Sequence, residues 1–304
     1  MFHKIHFIVN PAANHGRSQQ VAAGLRPLIA GQDAFWYETE RPTHAVELAC
    51  QAGEQGCDLV VACGGDGTVH EAVNGLMQVQ EKKRPALGII PLGSGNDFAH
   101  ILGLPSDPLQ ALQSVLDGQP HALDVGLACD QDGRREYFDN TLGIGFDAVV
   151  TLRTLKITAI HGFMMYFLAV LQTIILNFTP MNLRVKTDRE SWEMPTLMLT
   201  LGNGPREGGG FLVTPQARLD DGLLDYATIR KISRLMMFRL IPEVMKGTHG
   251  RFKPVKMGTC RKMSVTCEQP FCVHCDGEIY AGFDSRVREL SLEILPAAIH
   301  FLKT

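Results

Sequence analysis

Twice in the first third of the chain, a short apolar run breaks into a glycine-rich turn and then restarts with helical spacing. The first copy covers residues 58–71 (DLVVACGGDGTVHE) and the second covers residues 86–103 (ALGIIPLGSGNDFAHILG). Continuous apolar runs of this kind are typical of strands that are buried on both faces of a parallel sheet. The carboxyl ends of such strands lie along one edge, so the two turns are expected to face each other. The pattern predicts an open α/β sheet.

The first turn is suited to binding phosphate, because a strand that turns through glycine into a helix presents backbone N–H groups and the positive end of the helix dipole. The lysine of a Walker loop is missing, and Asp66 stands in the turn instead. A carboxylate repels phosphates unless a cation or a donor intervenes, so the turn indicates metal-assisted nucleotide chemistry. Thr68 and Glu71 fit a capping box, which predicts Thr68 as the N-cap of a helix over 69–79. Alternatively, the glycines serve only a tight turn.

The second turn and the start of the chain add polar groups. Ser94 offers a hydroxyl, Asn96 an amide and Asp97 a second acid, although Asp97 could instead brace the start of its own helix. The chain begins with a predicted strand over residues 4–9, which ends in Asn10 and a polar turn. Three strand ends followed by such turns make a nucleotide-binding site the leading hypothesis.

Six segments, taken in order, resemble the diacylglycerol kinase catalytic family in its bacterial soluble lipid kinase branch, which is related to sphingosine and ceramide kinases. They are FIVNP at 7–11, GGDGTVHEAVNGL at 64–76, PLGSGNDFAH at 91–100, GNGPREGGGF at 202–211, LDDGLLD at 219–225 and DGE at 276–278. The resemblance runs from about residue 5 to the end of the chain. GGDGT alone is weak, because NAD kinases and phosphofructokinases also carry it, and the ordered set is what identifies the family.

The resemblance implies transfer of the γ-phosphate of ATP to a lipid hydroxyl, of diacylglycerol or a phosphatidylglycerol-like lipid, with Mg²⁺ as cofactor. Asp66 and Asp97 are the candidates for holding the catalytic Mg²⁺. The expected nucleotide-binding residues are Asn10, Pro11, Thr39, Gly64, Gly65, Asp66, Gly67, Thr68, Glu71, Ser94 and Asn96. The run 41–45 (Arg-Pro-Thr-His-Ala) departs from the family pattern, in which a glycine is usual, so the Thr39 contact is less secure.

Two downstream segments carry the other expected roles. In an extended segment, residues i and i+2 point to one face, so the carboxylates of Asp276 and Glu278 can converge. Family context makes Glu278 the candidate general base, with Asp276 orienting the hydroxyl or binding cation; a solvated surface turn is the alternative. The resemblance also implies a second, structural Mg²⁺ held by Asp221 and by the carbonyls of Arg218 and Leu223, where the alternative is an Asp-Gly turn.

The stretch 157–183 contains no Lys, Arg, Asp or Glu, and its centre at 162–178 approaches the length of a membrane span. Polar residues inside it and a proline after it favour a buried amphipathic helix, predicted over 153–178. Such a helix could line a pocket for an acyl chain, to which Met164 and Phe167 would contribute. The glycines at Gly209 and Gly210 are expected to leave room for the lipid.

The organisation changes near residue 122, from strand–helix alternation to short β-rich runs. We therefore expect a nucleotide-binding α/β domain over 1–122, to which 295–304 returns, and a lipid-substrate domain over 123–294, a mainly β sandwich with an inserted helix. The formal net charge of −3 gives no indication of a nucleic-acid partner.

The remaining expectations concern location, partners and rival functions. The N-terminus is predicted as a strand and not as a signal peptide, so the expected location is cytoplasmic, with transient peripheral contact at the inner membrane surface. A homodimer is left open. The cysteines near 267–275 resemble zinc-ligand spacing, but this segment alternates like a strand and no metal is predicted there. Rival functions are an NAD kinase-type nucleotide kinase and a non-enzymatic lipid-binding protein.

Overall fold

The structure, a computed structural model, describes residues 2–157, 160 and 162–303. Within it the chain divides into two compact units. The first unit is Met1–Leu123 with Ala297–Thr304, and the second is Asp124–Pro296.

The first unit alternates strands and helices along the chain. They are β1 (Ile5–Val9), α1 (Arg17–Leu25), β2 (Ala34–Glu38), α2 (His44–Glu54), β3 (Leu59–Gly64), α3 (Asp66–Leu76), β4 (Ala86–Pro91), α4 (Asp97–Ile101) and α5 (Pro108–Asp117). Short 3-10 helices cover Ala13–Gly16, Arg26–Ile29 and Glu81–Lys83. The alternation confirms the predicted α/β class of this part of the chain.

Its sheet has the order β2-β1-β3-β4, all parallel, and the last strand of the chain joins β4 in parallel at Phe301 and Leu87. The chain leaves β1 toward one side to form β2 and then crosses to the other side to form β3. The topological switch point therefore lies between β1 and β3. In open α/β sheets, ligands bind outside the carboxyl ends of the strands at this point.

Strands β1, β3 and β4 are buried at every residue, since they are apolar apart from His6 of β1. Helices α1 and α5 pack onto one apolar cluster with β1, β3 and β4. Helices α2 and α3 contact each other closely, since a Cβ on Gly75 would lie 2.2 Å from the carbonyl oxygen of Val46. Any larger residue at position 75 would push the two helices apart.

The second unit is mainly β. Its elements are β5 (Gln119–Asp130, which begins in the first unit), β6 (Arg135–Phe138), β7 (Thr141–Gly145), α6 (Phe146–Thr154), α7 (Gly162–Leu176), β8 (Met181–Thr187), β9 (Ser191–Gly202), β10 (Leu224–Arg230), α8 (Arg234–Met245), β11 (Val255–Cys260), β12 (Lys262–Thr266), β13 (Val273–Cys275), β14 (Glu278–Ala281) and β15 (Glu289–Lys303, which ends in the first unit). A 3-10 helix covers His249–Arg251.

Strand β9 belongs to two antiparallel layers of this unit. One layer runs β14-β13-β7-β9-β10-β11, and the other runs from β9 through β8, β12 and β15 to β5 and β6. The apolar core between them takes side chains from both layers, including Leu183 from β8, Leu201 from β9 and Leu292 from β15. A second apolar cluster joins β9 and β10 to α6, α7 and α8. The predicted sandwich with inserted helical structure is confirmed.

The single helix predicted over 153–178 is wrong. The structure has two helices there, α6 and α7, and α6 begins at Phe146, directly after β7. Residues 158, 159 and 161 of that prediction lie outside the described residues. The apolar run concealed the boundary, because the periodicity of continuous apolar sequence does not show where a helix ends. Among the helices of the described residues, none is both long and apolar enough to cross a membrane.

Candidate active site

The two glycine turns of the first unit lie against each other. A Cβ added to Gly93 would lie 2.4 Å from the Cα of Gly65, and one added to Gly65 would lie 3.1 Å from the Cα of Gly93. The N–H of Leu92 donates to the carbonyl of Gly64 at 2.8 Å, so the β3–β4 pairing continues directly into this contact. Backbone approach this close requires a residue without a side chain. The structure therefore brings the two predicted turns together.

Helix α3 begins inside the first turn. Its N-cap is Gly65, and in the described part of the chain no side chain caps it. Asp66 and Gly67 occupy the first helical positions, whose N–H groups have no intrahelical acceptor and can bind an anion. The prediction of Thr68 as N-cap is wrong. Its hydroxyl lies over Gly64, where a Cβ would be 2.2 Å away, and it accepts a 3.2 Å hydrogen bond from Asn10 Nδ2.

Glu71, the predicted partner of Thr68 in the capping box, serves the neighbouring helix instead. Its two carboxylate oxygens accept from the backbone N–H groups of Thr43 at 2.8 Å and Ala45 at 3.0 Å, at the start of α2. Thr43 has a φ of +64° and its own side chain makes no capping bond. A carboxylate from α3 therefore supplies the missing cap of α2. The nucleotide contact of Glu71 stays a prediction.

Strands β1 and β2 deliver three more of the predicted residues to the same edge. The N–H of Asn10 donates to the carbonyl of Cys63 at 3.0 Å, and the N–H of Thr39 donates to the carbonyl of Val9 at 2.8 Å. Pro11 follows Asn10 and is half-buried. Asn10, Pro11 and Thr39 thus lie at the carboxyl ends of their strands, beside the switch point.

Asp66 connects the first turn to the second. Its Oδ1 accepts from the N–H of Phe98 at 3.1 Å, and a Cβ on Gly95 would lie 3.1 Å from its Oδ2. Asp97 is buried at the first position of α4, whereas Ser94 is exposed. Two carboxylates at the starts of neighbouring helices offer the oxygen donors that Mg²⁺ prefers. The residues present therefore fit the cation that the sequence predicts here.

Asn96 shapes the second turn. It has a φ of +53°, a left-handed conformation that asparagine tolerates better than most residues. Its Oδ1 accepts from the N–H of Gly93 at 3.0 Å and its Nδ2 donates to the carbonyl of Gly93 at 2.9 Å. The side-chain amide thus closes the turn on itself, and its contact with nucleotide stays a prediction.

In the second unit, the segment of the candidate base is a tight hairpin turn between β13 and β14. Asp276 and Gly277 have φ values of +51° and +83°, as a two-residue hairpin loop requires. The carboxylate of Asp276 accepts three backbone N–H groups, from Asp139 at 3.0 Å and from Asn140 and Thr141 at 2.9 Å each. The expectation of an extended segment at 276–278 is therefore wrong, and Asp276 anchors the turn to the start of β7.

Glu278 begins β14, directly after this turn and opposite Cys275 in the ladder. Its side chain is exposed. The hairpin holds it on rigid backbone, which suits a residue that must accept a proton at a fixed position. Its role as general base stays a prediction.

A buried polar cluster, which the sequence reasoning missed, lies behind the turn. Its members are Thr141, Asp147, Tyr166, Thr200, Glu207 and His274. Tyr166 is half-buried, and the other five are buried. The Tyr166 hydroxyl is 3.2 Å from Asp147 Oδ1 and 2.9 Å from Glu207 Oε1. Thr200 donates to Asp147 Oδ2 at 2.5 Å, and Thr141 donates to Glu207 Oε2 at 2.9 Å.

His274 lies at the inner end of this cluster. Its Nε2 is 3.5 Å from Asp147 Oδ2 and 3.8 Å from Glu207 Oε2. A Cβ on Gly143 would lie 2.3 Å from that Nε2 and 2.4 Å from that Oδ2. The glycine of β7 therefore makes the space in which the imidazole and the carboxylate meet. A signal was present in the sequence, because Asp147 is an acid inside the apolar run 142–150 and an acid in such a run needs a buried partner.

The two carboxyl groups of the cluster are held in different protonation states. Burial, reinforced by the charge of Asp147, raises the pKa of Glu207 well above its usual range. Burial alone would also raise the pKa of Asp147, but His274 and donors such as Thr200 lower it to about 2. Burial and both carboxyl groups raise the pKa of Tyr166. These shifts favour a single proton on the pair, held by Glu207, because two buried like charges this close are not both stable.

An apolar cavity of about 40 Å³ adjoins the cluster. Its walls come from α6, α7, α8, β9 and β10, with side chains such as Val170, Met198 and Leu240. Asp147, Tyr166 and Glu207 form its polar end. The cavity thus combines a narrow apolar interior with a small number of fixed polar groups, as ligand sites do.

The glycine run 208–210 does not leave open space. A Cβ on Gly208 would lie 2.5 Å from the Tyr166 ring, and one on Gly210 would lie 3.1 Å from Phe163. A Cβ on Gly209 would lie 3.4 Å from the backbone of Phe163. The argument from spare room is therefore wrong, since the run admits helix α7 instead of substrate. Lipid contact by Gly209 and Gly210 stays a prediction.

The other two predicted lipid contacts are placed differently on α7. Met164 is 57% exposed, and Phe167 packs against the second apolar cluster, stacked on Phe163. Neither is among the side chains that wall the cavity.

The loop 218–223 carries the predicted structural cation site. Asp221 is exposed, and its Oδ1 accepts from the N–H of Leu223 at 3.0 Å. The guanidinium of Arg218 pairs with Asp220, and the cation contact of its backbone carbonyl stays a prediction.

Two further acids lie next to this loop. Asp124 is buried, and its Oδ2 accepts from the N–H of Gly222 at 2.6 Å. Burial, together with the charge of Asp221, raises the pKa of Asp225 to about 6. A cation would offset the mutual repulsion of these carboxylates, so the donor set fits a divalent ion with oxygen ligands.

An open parallel sheet with glycine turns at its switch point, followed by an antiparallel sandwich, defines a class of two-unit proteins with an α/β part and a β part. Within that class, residues 4–128 match the diacylglycerol kinase catalytic domain, and residues 140–303 match the YegS C-terminal NAD kinase beta sandwich-like domain. The chain belongs to the diacylglycerol kinase catalytic-domain family, a family of lipid kinases.

Curated relatives agree with this assignment. The chain is 31% identical over 304 residues to a diacylglycerol kinase of Mycobacterium tuberculosis, covering 99% of this chain and 95% of that one. It is 41% identical over 203 residues to a probable lipid kinase YegS-like protein of Chromohalobacter salexigens, and this match spans 66% of the chain and 63% of the relative.

Solved structures share the fold. The crystal structure of a diacylglycerol kinase from Bacillus anthracis superposes with a TM-score of 0.75 at 23% identity, over 100% of this chain and 97% of that one. A second solved chain from the same organism superposes with a TM-score of 0.81 at 25% identity, over 100% and 98% of the two chains.

Proposed function

We propose that the chain transfers the γ-phosphate of ATP to a hydroxyl of a lipid, either diacylglycerol or a phosphatidylglycerol-like lipid, in a Mg²⁺-dependent reaction. Phosphoryl transfer needs a cradle for the phosphates, neutralisation of their charge and a base for the acceptor hydroxyl. The observation that carries the proposal is the pair of glycine turns packed backbone to backbone at the switch point, beside Asp66.

The α/β domain, residues 1–122 with 295–304, is the proposed nucleotide domain. Among the described residues no side chain caps the N-terminus of α3, so its backbone N–H groups can bind phosphate. The close contact of Gly65 with Gly93 keeps both turns in place for the phosphates. Asp66 and Asp97 would hold Mg²⁺, which when bound neutralises the charge that develops on the transferred group.

The domain of residues 123–294 is the proposed lipid domain, and Glu278 is its proposed general base. A carboxylate that follows a two-residue hairpin loop has a fixed backbone, which keeps its oxygen at a constant position for the hydroxyl proton. Asp276 supports it by holding the loop through three backbone hydrogen bonds. Its part in orienting the hydroxyl or binding cation stays a prediction.

The apolar cavity between α6, α7 and α8 supports a lipid acceptor. Its volume of about 40 Å³ holds only a short stretch of an acyl chain. We therefore propose that α7 and α8 separate when a lipid enters, since these two helices form the outer wall of the cavity and carry exposed apolar side chains. Met164 and Phe167, on α7, would then contact the chain as the sequence predicts.

The exposed side chains of α7 and α8 support peripheral contact with a membrane. Leu235 is 82% exposed, and further exposed apolar side chains are Met164, Ile175, Leu176 and Phe238. The two helices contact each other, and Arg234 Nε donates to the carbonyl of Ile174 across that contact. The exposed cations Lys231, Arg234, Arg239 and Lys246 surround the apolar groups. Such a mixture fits a bilayer that contains anionic lipid.

Vesicle sedimentation tests the membrane contact. Leu235→Ser should lower binding to vesicles of phosphatidylglycerol and phosphatidylcholine several-fold, and pure phosphatidylcholine vesicles should bind the unaltered protein weakly. Leu28→Ser, an exposed leucine of the first unit, serves as the matched control. Equal binding of the two variants to the vesicles would show that α7 and α8 do not form the membrane-contacting surface.

A phosphate-transfer assay tests the activity itself. The protein is incubated with labelled ATP, Mg²⁺ and, in turn, diacylglycerol, phosphatidylglycerol, a sphingoid base and NAD. Label in a lipid product is the expected result. Label in NAD alone would replace the proposal with an NAD kinase-type activity, and lipid binding without any transfer would indicate a non-enzymatic lipid-binding protein.

A further inference from the structure

We infer that His274 is a positioning residue for the transfer reaction: the buried cluster holds its imidazole, and the imidazole holds the loop that places Glu278. This inference rests on the proposed function of Glu278. It concerns a residue that no motif of the sequence identifies, in a segment whose Cys-x-x-Cys spacing draws attention to the neighbouring thiols.

The imidazole ring of His274 contacts the loop at Gly277. The N–H of Gly277 donates to His274 Nδ1 at 3.3 Å. A backbone N–H can only donate, so Nδ1 is the acceptor and the ring proton lies on Nε2. Gly277 has a φ of +83° and directly precedes Glu278. The imidazole therefore accepts a hydrogen bond from the residue directly before the candidate base.

The buried cluster holds the ring in turn. His274 is 1% exposed, and its Nε2 points into the cluster at 3.5 Å from Asp147 Oδ2 and 3.8 Å from Glu207 Oε2. This nitrogen has no hydrogen bond in the described part of the chain. Attraction between the N–H and the Asp147 carboxylate keeps the ring aimed inward, and Gly143 leaves the room for both.

The same tautomer argues against a metal ion bound by these residues. Atoms of Asp147, Glu207 and His274 that could ligate a cation lie within 4.8 Å of one another. A cation would need the lone pair of Nε2, but that atom carries the proton while Gly277 donates to Nδ1. The three residues therefore anchor the ring through the attraction between the Nε2–H dipole and the Asp147 carboxylate, and they do not form a cation site.

The position of the loop sets the distance between the carboxylate of Glu278 and the acceptor hydroxyl. The loop 276–277 is held on one side by the bonds from Asp276 to the start of β7 and on the other side by His274. Loss of one holder lets the loop rotate about the other. A displacement of 1 Å in a reacting group can cost up to about a hundredfold in rate, so a change at His274 should lower kcat.

Two amide replacements separate the two contacts of the ring. His274→Asn places an oxygen near the position of Nδ1 and can still accept from Gly277. His274→Gln places an amide near the position of Nε2 and keeps only the contact with the cluster. We expect His274→Gln to lower kcat for lipid phosphorylation about tenfold or more and His274→Asn about threefold or less, with the KM for ATP unchanged within about twofold.

Two controls accompany these variants. His121→Asn and His121→Gln, at an exposed histidine of β5, should leave kcat unchanged. In a Glu278→Gln background, His274→Gln should cause no additional loss of the residual rate, since a positioning residue acts through the base.

Equal kcat values for the Asn and Gln variants, or a full additional loss in the Glu278→Gln background, would overturn the inference. Hydrogen exchange of the Gly277 amide gives a readout that needs no activity, with faster exchange in His274→Gln than in His274→Asn. A protein that phosphorylates no lipid while showing this exchange difference would refute the proposed function and leave the contact established.

Discussion

The two units build their candidate sites from different materials. In the first unit the site is made of backbone: Gly65 packs on Gly93, and the start of α3 presents N–H groups. In the second unit it is made of side chains that come from separate elements, such as Asp147 on α6, Glu207 on a loop and His274 on β13. The first site depends on residues that are small, and the second depends on residues that are buried and partnered.

This difference explains how each site tolerates change. A backbone site loses its shape when any side chain is added at a close contact, whatever the chemistry of that side chain. A side-chain site keeps its shape when one group is replaced by another of the same size, provided that the hydrogen bonds and charges still balance. Substitutions of both kinds test that distinction.

Glu278→Gln should lower kcat for lipid phosphorylation about a thousandfold, because the amide has the shape of the acid but cannot accept a proton. Affinity for ATP, measured by equilibrium binding, should stay within about twofold. Glu268→Gln, at another exposed glutamate, is the control. Unchanged turnover would show that the second unit does not supply the base.

Gly93→Ala should weaken ATP binding by about a hundredfold and lower the free energy of unfolding by about 2 kcal/mol, since the new Cβ would meet the backbone of Gly65. Calorimetry and denaturant unfolding measure the two effects. Gly24→Ala is the matched control, because among described atoms nothing lies within 4 Å of the added Cβ. If both variants behave alike, the contact between the turns is not what shapes the site.

Asp147→Asn should lower the free energy of unfolding at pH 7 by about 2 kcal/mol, whereas Glu207→Gln should not lower it. Asp147 is ionised and its donors need a charged acceptor, whereas Glu207 already carries a proton that the amide imitates. Urea unfolding gives both values. The reverse order would place the shared proton on Asp147.

The pH dependence of stability should differ between wild type and Glu207→Gln. The folded pKa of Glu207 is raised, so the unfolded chain binds fewer protons than the folded one above the ordinary value of 4.5. Stability from this group is full below that pH and is lost as pH rises toward the folded value, at no more than about 1.4 kcal/mol per pH unit. Glu207→Gln should therefore show a flatter profile between pH 5 and pH 8. Parallel profiles would mean that Glu207 is ionised in the folded protein.

The fold was predictable where local pattern and global position agree. The apolar runs before Gly64 and Gly93 indicate buried parallel strands, and the structure has β3 and β4 there. Prediction failed where a continuous apolar run hid a boundary, as between α6 and α7, because such a run carries no period that marks an end. It failed also at Thr68 and Glu71, whose capping-box spacing is real but whose side chains bond to Asn10 and to the start of α2.

The sequence alone determined which residues stand at the ends of strands, because period and glycine content act within a few neighbours along the chain. The two turns and the division into an α/β part and a β part belong to this category. Tertiary structure decided which distant groups meet: Glu71 with α2, Asp276 with the start of β7, and His274 with Asp147. A buried polar group requires a partner to offset its loss of water. The sequence does not show which residue that partner is, because the partner is set by the packing of segments that lie far apart along the chain.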